Sequence, residues 1–212
     1  MSNPDNAIII CKKAEMISER LNYQRGKSES YAWLGYLNQG KGNIALSLEY
    51  SNKSLDNFIE IGDKKAIATA LGNIGFIYKE QGILKEALDY FNRSIKLYEE
   101  IGYQLGLASA FGNIGDIQEK QGKTREALDY HHRSLKIHEE IGDKKGIATS
   151  LTKIGMIYYN QGKVKEAFDY YNRSLSIQIE IGDKKGIAIS FNNIGIIHVD
   201  QGELNEALAY GL

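Results

Sequence analysis

Three asparagines, Asn73, Asn113 and Asn193, stand 40 and 80 residues apart along this chain. A primary amide carries a donor and an acceptor at once. A row of amides at fixed spacing can therefore hold the backbone of an extended peptide, or each can bond a neighbouring helix of its own chain. His131, His132 and His138 raise metal chemistry. His131 and His138 are seven residues apart and can face one way on a helix, but no third ligand accompanies them, so packing is the expected role and no metal is expected. The pairs Lys64-Lys65, Lys144-Lys145 and Lys184-Lys185 can form a weak ridge for anionic partners or a solvated face. Cys11 has no base beside it and is expected in the core. No nucleophile–base pair, phosphate loop or pair of carboxylates is evident, so neither an enzyme nor a cofactor is expected.

The elements that must position these groups repeat. IGDKKAIATALGNIGFIYKEQGILKEALDYFNRSIKLYEE (61–100) returns at 101–140 and 141–180, begins again at 181, and has a diverged copy at 21–60. Within 61–100, Ile67, Leu71, Ile74 and Tyr78 recur at helical spacing, as do Ala87, Phe91, Ile95 and Tyr98. Each unit thus reads as two antiparallel helices, A and B. Gly62 suits the left-handed position that ends a helix, Asp63 suits the cap of the next, and Gly82 turns A into B. Asn22 takes the Gly62 column in the diverged copy. Gly75 lies inside helix A, where glycine costs roughly 1 kcal/mol against alanine. Its recurrence as Gly35, Gly115, Gly155 and Gly195 implies a close approach of two helices. Ser47 and Ser51 replace Ala87 and Phe91, which predicts looser packing of 21–60. Residues 5–20 read as a lone helix B, and Glu203–Tyr210 as the start of another. Both ends read as cuts through a longer array.

Composition excludes several classes. Lys and Arg number 26 against 27 Asp and Glu, which leaves no electrostatic footprint for nucleic acid or an anionic membrane. One cysteine rules out an internal disulfide framework. The run Ala7–Cys11 is too short to span a bilayer, and no basic segment precedes it, so a cytoplasmic location is expected.

These residues resemble the tetratricopeptide repeat family, whose pattern is a large residue, Leu-Gly and Tyr in helix A, then Ala and an aromatic in helix B. Here it reads Leu71, Ile74-Gly75, Tyr78, Ala87 and Phe91, and recurs in the other copies. The unit of 40 residues, with Glu99 where the usual proline would close helix B, is similar to that of kinesin light chains, spindle-orientation adaptors and bacterial regulators. The resemblance implies an all-α, right-handed solenoid of about eleven helices. It would be one array over 1–212: a lone helix B at 5–20, repeats at 21–60, 61–100, 101–140 and 141–180, and a truncated repeat at 181–212.

It also implies a concave groove lined by the A helices. By column, the groove residues are Thr69, Gly72, Asn73, Phe76 and Lys79, then Ser109, Gly112, Asn113, Asp116 and Glu119. Thr149, Lys153, Met156 and Tyr159 follow, then Asn193, Ile196 and Val199. Three asparagines at a net ~1 kcal/mol per hydrogen bond supply only a few kcal/mol, whereas a micromolar complex needs about −8 kcal/mol. Apolar pockets must add the rest. Trp33, Tyr36 and Phe76 form one candidate; Met156, Tyr159, Ile196 and Val199 form another. Trp33 can alternatively pack on the lone first helix. No cluster of cations is evident, which argues against carboxylate recognition of the chaperone-tail kind. The expected function is a protein-interaction module for a partner segment or peptide. The alternatives are a peptide-sensing regulator and a spacer that self-associates head to tail through its unpaired terminal helices.

Overall fold

The computed structural model describes residues 4–203; apart from Glu203, the helix expected to start over 203–210 lies outside them. Ten α-helices are described: α1 (Pro4–Arg20), α2 (Gln24–Gly40), α3 (Ile44–Ile61), α4 (Lys64–Glu80), α5 (Leu84–Ile101), α6 (Gln104–Lys120), α7 (Thr124–Glu140), α8 (Lys144–Asn160), α9 (Val164–Glu180) and α10 (Lys184–Asp200). No strand occurs among the described residues. Two compact units divide the chain, residues 1–110 and 111–212.

The helix ends follow from local chemistry. Gly62 has φ 78°, a left-handed conformation that costs glycine little. Its N–H and that of Asp63 donate to the Phe58 carbonyl at 3.0 and 3.2 Å, which satisfies carbonyls left open at the end of α3. Asp63 then caps α4, its Oδ1 accepting from Ala66 N–H at 3.0 Å. Asp143 and Asp183 repeat this at α8 and α10. Asn22 holds φ 55°, the one non-glycine residue with positive φ among those described. The B helices start differently: Ile83, Lys123 and Lys163 make no side-chain cap. Those starts depend on packing rather than on a local hydrogen bond.

In the first unit Leu55, Ala70, Leu71 and Ile74 form a buried cluster, flanked by Tyr78 and Tyr90 with rings stacked at 5.5 Å. In the second, Leu135, Leu151 and Ile154 form one cluster, and Ala167, Tyr171, Leu175, Ile194 and Ile197 another. Burying each such aliphatic side chain contributes roughly 1.5–3 kcal/mol. Burial pushes the Tyr171 hydroxyl up to about 12.

Two devices lock the pairs α2/α3, α4/α5 and α8/α9. At Gly75 an added Cβ would meet Tyr90 Cβ at 3.2 Å and the Ala87 carbonyl at 3.3 Å, so the close approach is real. A serine column does the rest: Ser54, Ser94 and Ser174 donate to the carbonyls of Ser28, Ala68 and Ala148 at 3.0, 2.7 and 2.8 Å. In the diverged repeat Ser47 is buried and donates to the Gly35 carbonyl at 2.8 Å. Cys11 departs from expectation: it is half-buried rather than core, and burial raises its thiol pKa.

Candidate functional site

Each unit opens a cleft between successive A helices, floored by the B helix between them. In the first unit it has a volume of about 270 Å³. Its floor is Ser51, Ser54 and Phe58 of α3, and Thr69 and Asn73 line it from α4. Ser51 stands where Phe91 fills the next repeat, so the short side chain leaves the space. At the rim Arg25 pairs with Asp63 at 3.1 Å. Thr69 is exposed, but its hydroxyl is engaged with the Lys65 carbonyl and the Tyr98 hydroxyl at 2.9 and 3.1 Å. In the second unit the corresponding cleft has a volume of about 470 Å³. Thr149, Lys153 and Met156 line it from α8, Gln178 from α9 and Asn193 from α10.

Asn73 and Asn193 therefore each face a cleft. Neither side chain makes a hydrogen bond among the described residues, so within those residues neither amide serves a neighbouring helix. Asn113 is half-buried on α6, and Lys153 occupies the asparagine column on α8.

The aromatic residues split. Trp33 is 59 % exposed and Tyr36 65 %; their rings meet edge to face at 5.9 Å. Trp33 thus shows most of its surface to solvent and is not buried against α1. Phe76 is exposed at the A-helix face, whereas Lys79, expected beside it in the groove, is only 5 % exposed. The Lys79 ammonium lies 4.7 Å from the Phe76 ring centroid, a cation–π contact that offsets part of the cost of burying it. Met156 and Ile196 are half-buried and Val199 is exposed. Tyr159 is half-buried and its hydroxyl donates to Asp200, which raises its pKa. Ser109 is exposed, with its hydroxyl on the Leu105 carbonyl at 2.9 Å.

The histidines separate. His131 is 2 % exposed in the aromatic column, whereas His138 Nδ1 lies 2.9 Å from Asp143 Oδ2. They share no site. The groups around His131 that sequence spacing did not reveal are Asp116 and Glu119: potential ligand atoms of the three lie within 4.8 Å of one another. Lys153 Nζ sits 2.9 Å from Asp116 Oδ1, so an ammonium already supplies a positive charge there. Burial raises the Glu119 carboxyl pKa. Sequence reading also missed a cation cluster. Lys145 and Lys153 of α8 and Lys185 of α10 line the cleft of the second unit; the sequence offered Lys145 and Lys185 only as part of a weak ridge, and the packing of α8 beside α10 gathers them with Lys153. Lys64 and Lys144 are instead spent on Glu100 and Glu180.

The family model for the tetratricopeptide repeat matches residues 27–100, 66–140, 106–180 and 146–211, and the chain belongs to that family. No curated protein matches it. Among solved structures it is similar to BtubC (BKLC) from P. vanneervenii, at 18 % identity and TM-score 0.84, over 100 % of this chain and 89 % of that one. It is also similar to a signal transduction ATPase with numerous domains that carries a tetratricopeptide repeat sensor, from Pyrococcus horikoshii: 19 % identity, TM-score 0.79, 98 % of this chain and 32 % of that one. A Rap protein complexed with Competence and Sporulation Factor matches at 15 % identity and TM-score 0.75, over 88 % of this chain and 52 % of that one. The chain thus spans about half of the Rap protein and a third of the ATPase. At these identities the likeness establishes the fold, an all-α solenoid of tandem tetratricopeptide repeats. No described helix is long and apolar enough to cross a membrane.

Proposed function

We propose that this chain is a protein-interaction module that holds an extended segment of a partner protein against the A-helix face of its repeats. The observation that carries the reading is the pair of clefts, each lined by an asparagine whose amide makes no hydrogen bond among the described residues. Such an amide can bond both N–H and C=O of a peptide backbone. Exposed Trp33, Tyr36 and Phe76 add the apolar contact that hydrogen bonds alone do not supply, and aromatic anchors of this kind dominate binding energies. The Rap neighbour, solved in complex with Competence and Sporulation Factor, lends support by analogy of fold only.

The test is selection of binders from a displayed random-peptide library, followed by affinity measurement on the Asn73→Ala, Asn193→Ala double variant and on Trp33→Ala. Selected peptides should bind the double variant roughly tenfold more weakly, the loss of about one to two net hydrogen bonds. Peptides that bind the parent and both variants equally would move the site off this face. A second reading, self-association, is favoured by α1, where Ile9, Ile10, Met16 and Ile17 are exposed, with Leu21 exposed just after it.

A further inference from the structure

The two clefts differ in charge. Lys145, Thr149 and Lys153 follow one another at four-residue steps on α8, and Lys185, Ile189 and Asn193 do so on α10. Residues so spaced share a helix face. Against the three lysines the lining holds one carboxylate, Asp183; its Oδ1 caps α10 at the Gly186 N–H, 3.1 Å away, and, unlike Asp63 with Arg25, it forms no ion pair with these lysines among the described residues. Lys153 is compensated by Asp116. Lys145 and Lys185 have no ion pair among the described residues, unlike Lys144, which is paired with Glu180. The floor adds no charge: Gln178 is 4 % exposed, its amide N–H donates to Ser174 Oγ at 3.0 Å, and its Oε1 accepts from Ser190 Oγ at 2.7 Å.

The first unit offers a comparison built into the same chain. Phe58 occupies the column of Gln178 and gives that cleft an apolar floor. Arg25 is neutralised by Asp63, and the Lys65 ammonium lies 4.1 Å from the Tyr103 ring centroid. That cleft presents no uncommitted cation; the cleft of the second unit presents two.

We propose that the cleft between α8 and α10 takes an acidic side chain, Asp or Glu, from the partner segment, with Lys145 and Lys185 as its counter-charges. This rests on the A-helix face being the binding face. The lysines are exposed, so their attraction is partly screened and weakens with salt. A short acidic peptide should therefore bind only at about millimolar concentration, the range in which a single subsite operates.

The test is an amide-resonance titration of the 212-residue chain with Ac-Gly-Glu-Gly-Glu-Gly-NH2, beside the uncharged Ac-Gly-Gln-Gly-Gln-Gly-NH2. The acidic peptide should shift Thr149, Lys185, Ile189 and Asn193, and the uncharged one should not. The Lys145→Gln, Lys185→Gln double variant, checked for unchanged helicity, should bind roughly tenfold more weakly, as expected for losing charge-assisted hydrogen bonds. Added salt should abolish the shifts. Equal shifts around Lys64 and Lys65, an equal response to the uncharged peptide, or an unaffected double variant would each overturn the assignment. So would binding that requires a free terminal carboxylate, tested with the unamidated peptide. If the acidic peptide fails while library-selected peptides still bind at Asn73 and Asn193, only the acidic assignment falls; if both fail, the A-helix face itself is wrong.

Discussion

Gly72 and Gly75 lie one turn apart on α4, and replacing each by alanine should change stability in opposite directions. Intrinsic helix propensity favours alanine by roughly 1 kcal/mol at both positions. At Gly72 the nearest heavy atom to an added Cβ is Ser94 Oγ at 3.6 Å, an ordinary contact, so the gain should be realised. At Gly75 the Cβ would meet Tyr90 Cβ at 3.2 Å, and the Ala87 carbonyl and Phe91 Cδ1 at 3.3 Å. Ala87 and Phe91 are essentially fully buried, and a backbone carbonyl in a helix has little room to yield. Overpacking of this kind costs about 1–3 kcal/mol, which outweighs the propensity gain. Gly72→Ala should therefore stabilise by about 1 kcal/mol, while Gly75→Ala destabilises by about the same. For a chain of this length each kcal/mol shifts Tm by about 2–4 °C, so the two variants should straddle the parent by several degrees in a circular-dichroism melt. Repeat arrays lose strict two-state behaviour, which makes the sign of each shift the quantity to compare. A Gly75→Ala protein that melts as high as Gly72→Ala would refute the close-approach argument for the whole glycine column.

Two further outcomes follow. Burial lowers the His138 pKa below 6.5, with Asp143 opposing, and His132 is lowered by burial in the same way. The unfolded chain then binds protons that the folded one does not as pH falls through the unfolded value, so stability should drop from neutral pH downward and level off below the folded value. His138→Gln, which installs the residue that Gln178 supplies in the next copy, should flatten this slope in denaturant midpoints measured across that range; an unchanged slope would show that His138 is not its source. Sedimentation of the parent should show concentration-dependent association through α1, and Ile10→Glu, Ile17→Glu should abolish it, whereas a parent that stays monomeric at all concentrations would remove the self-association reading.

Much of the architecture is local and so was legible in the residues. A left-handed glycine, an Asp that accepts from the N–H three residues on, and an apolar stripe at helical spacing each act within one turn. Gly62, Asp63 and Ile67–Tyr78 therefore announce their roles without a fold. The recurring Gly75 announced a close approach because a propensity penalty taken repeatedly demands a reason. The site residues were legible only as columns. That Asn73 and Asn193 would face clefts with their amides unused among the described residues, that Lys79 would be buried over Phe76, and that Asp116, Glu119 and His131 would converge beside Lys153 depend on which helix lies alongside which. Lys145 and Lys185 belong to different helices, and their sequence separation says nothing about a shared cavity until α8 and α10 pack over Gln178. Local hydrogen bonding sets where α4, α8 and α10 start and where helices stop, and periodicity sets each apolar face, whereas the starts of α5, α7 and α9 already depend on packing. Side-chain convergence across helices is set by tertiary packing, and that packing decided the charge and floor of each cleft.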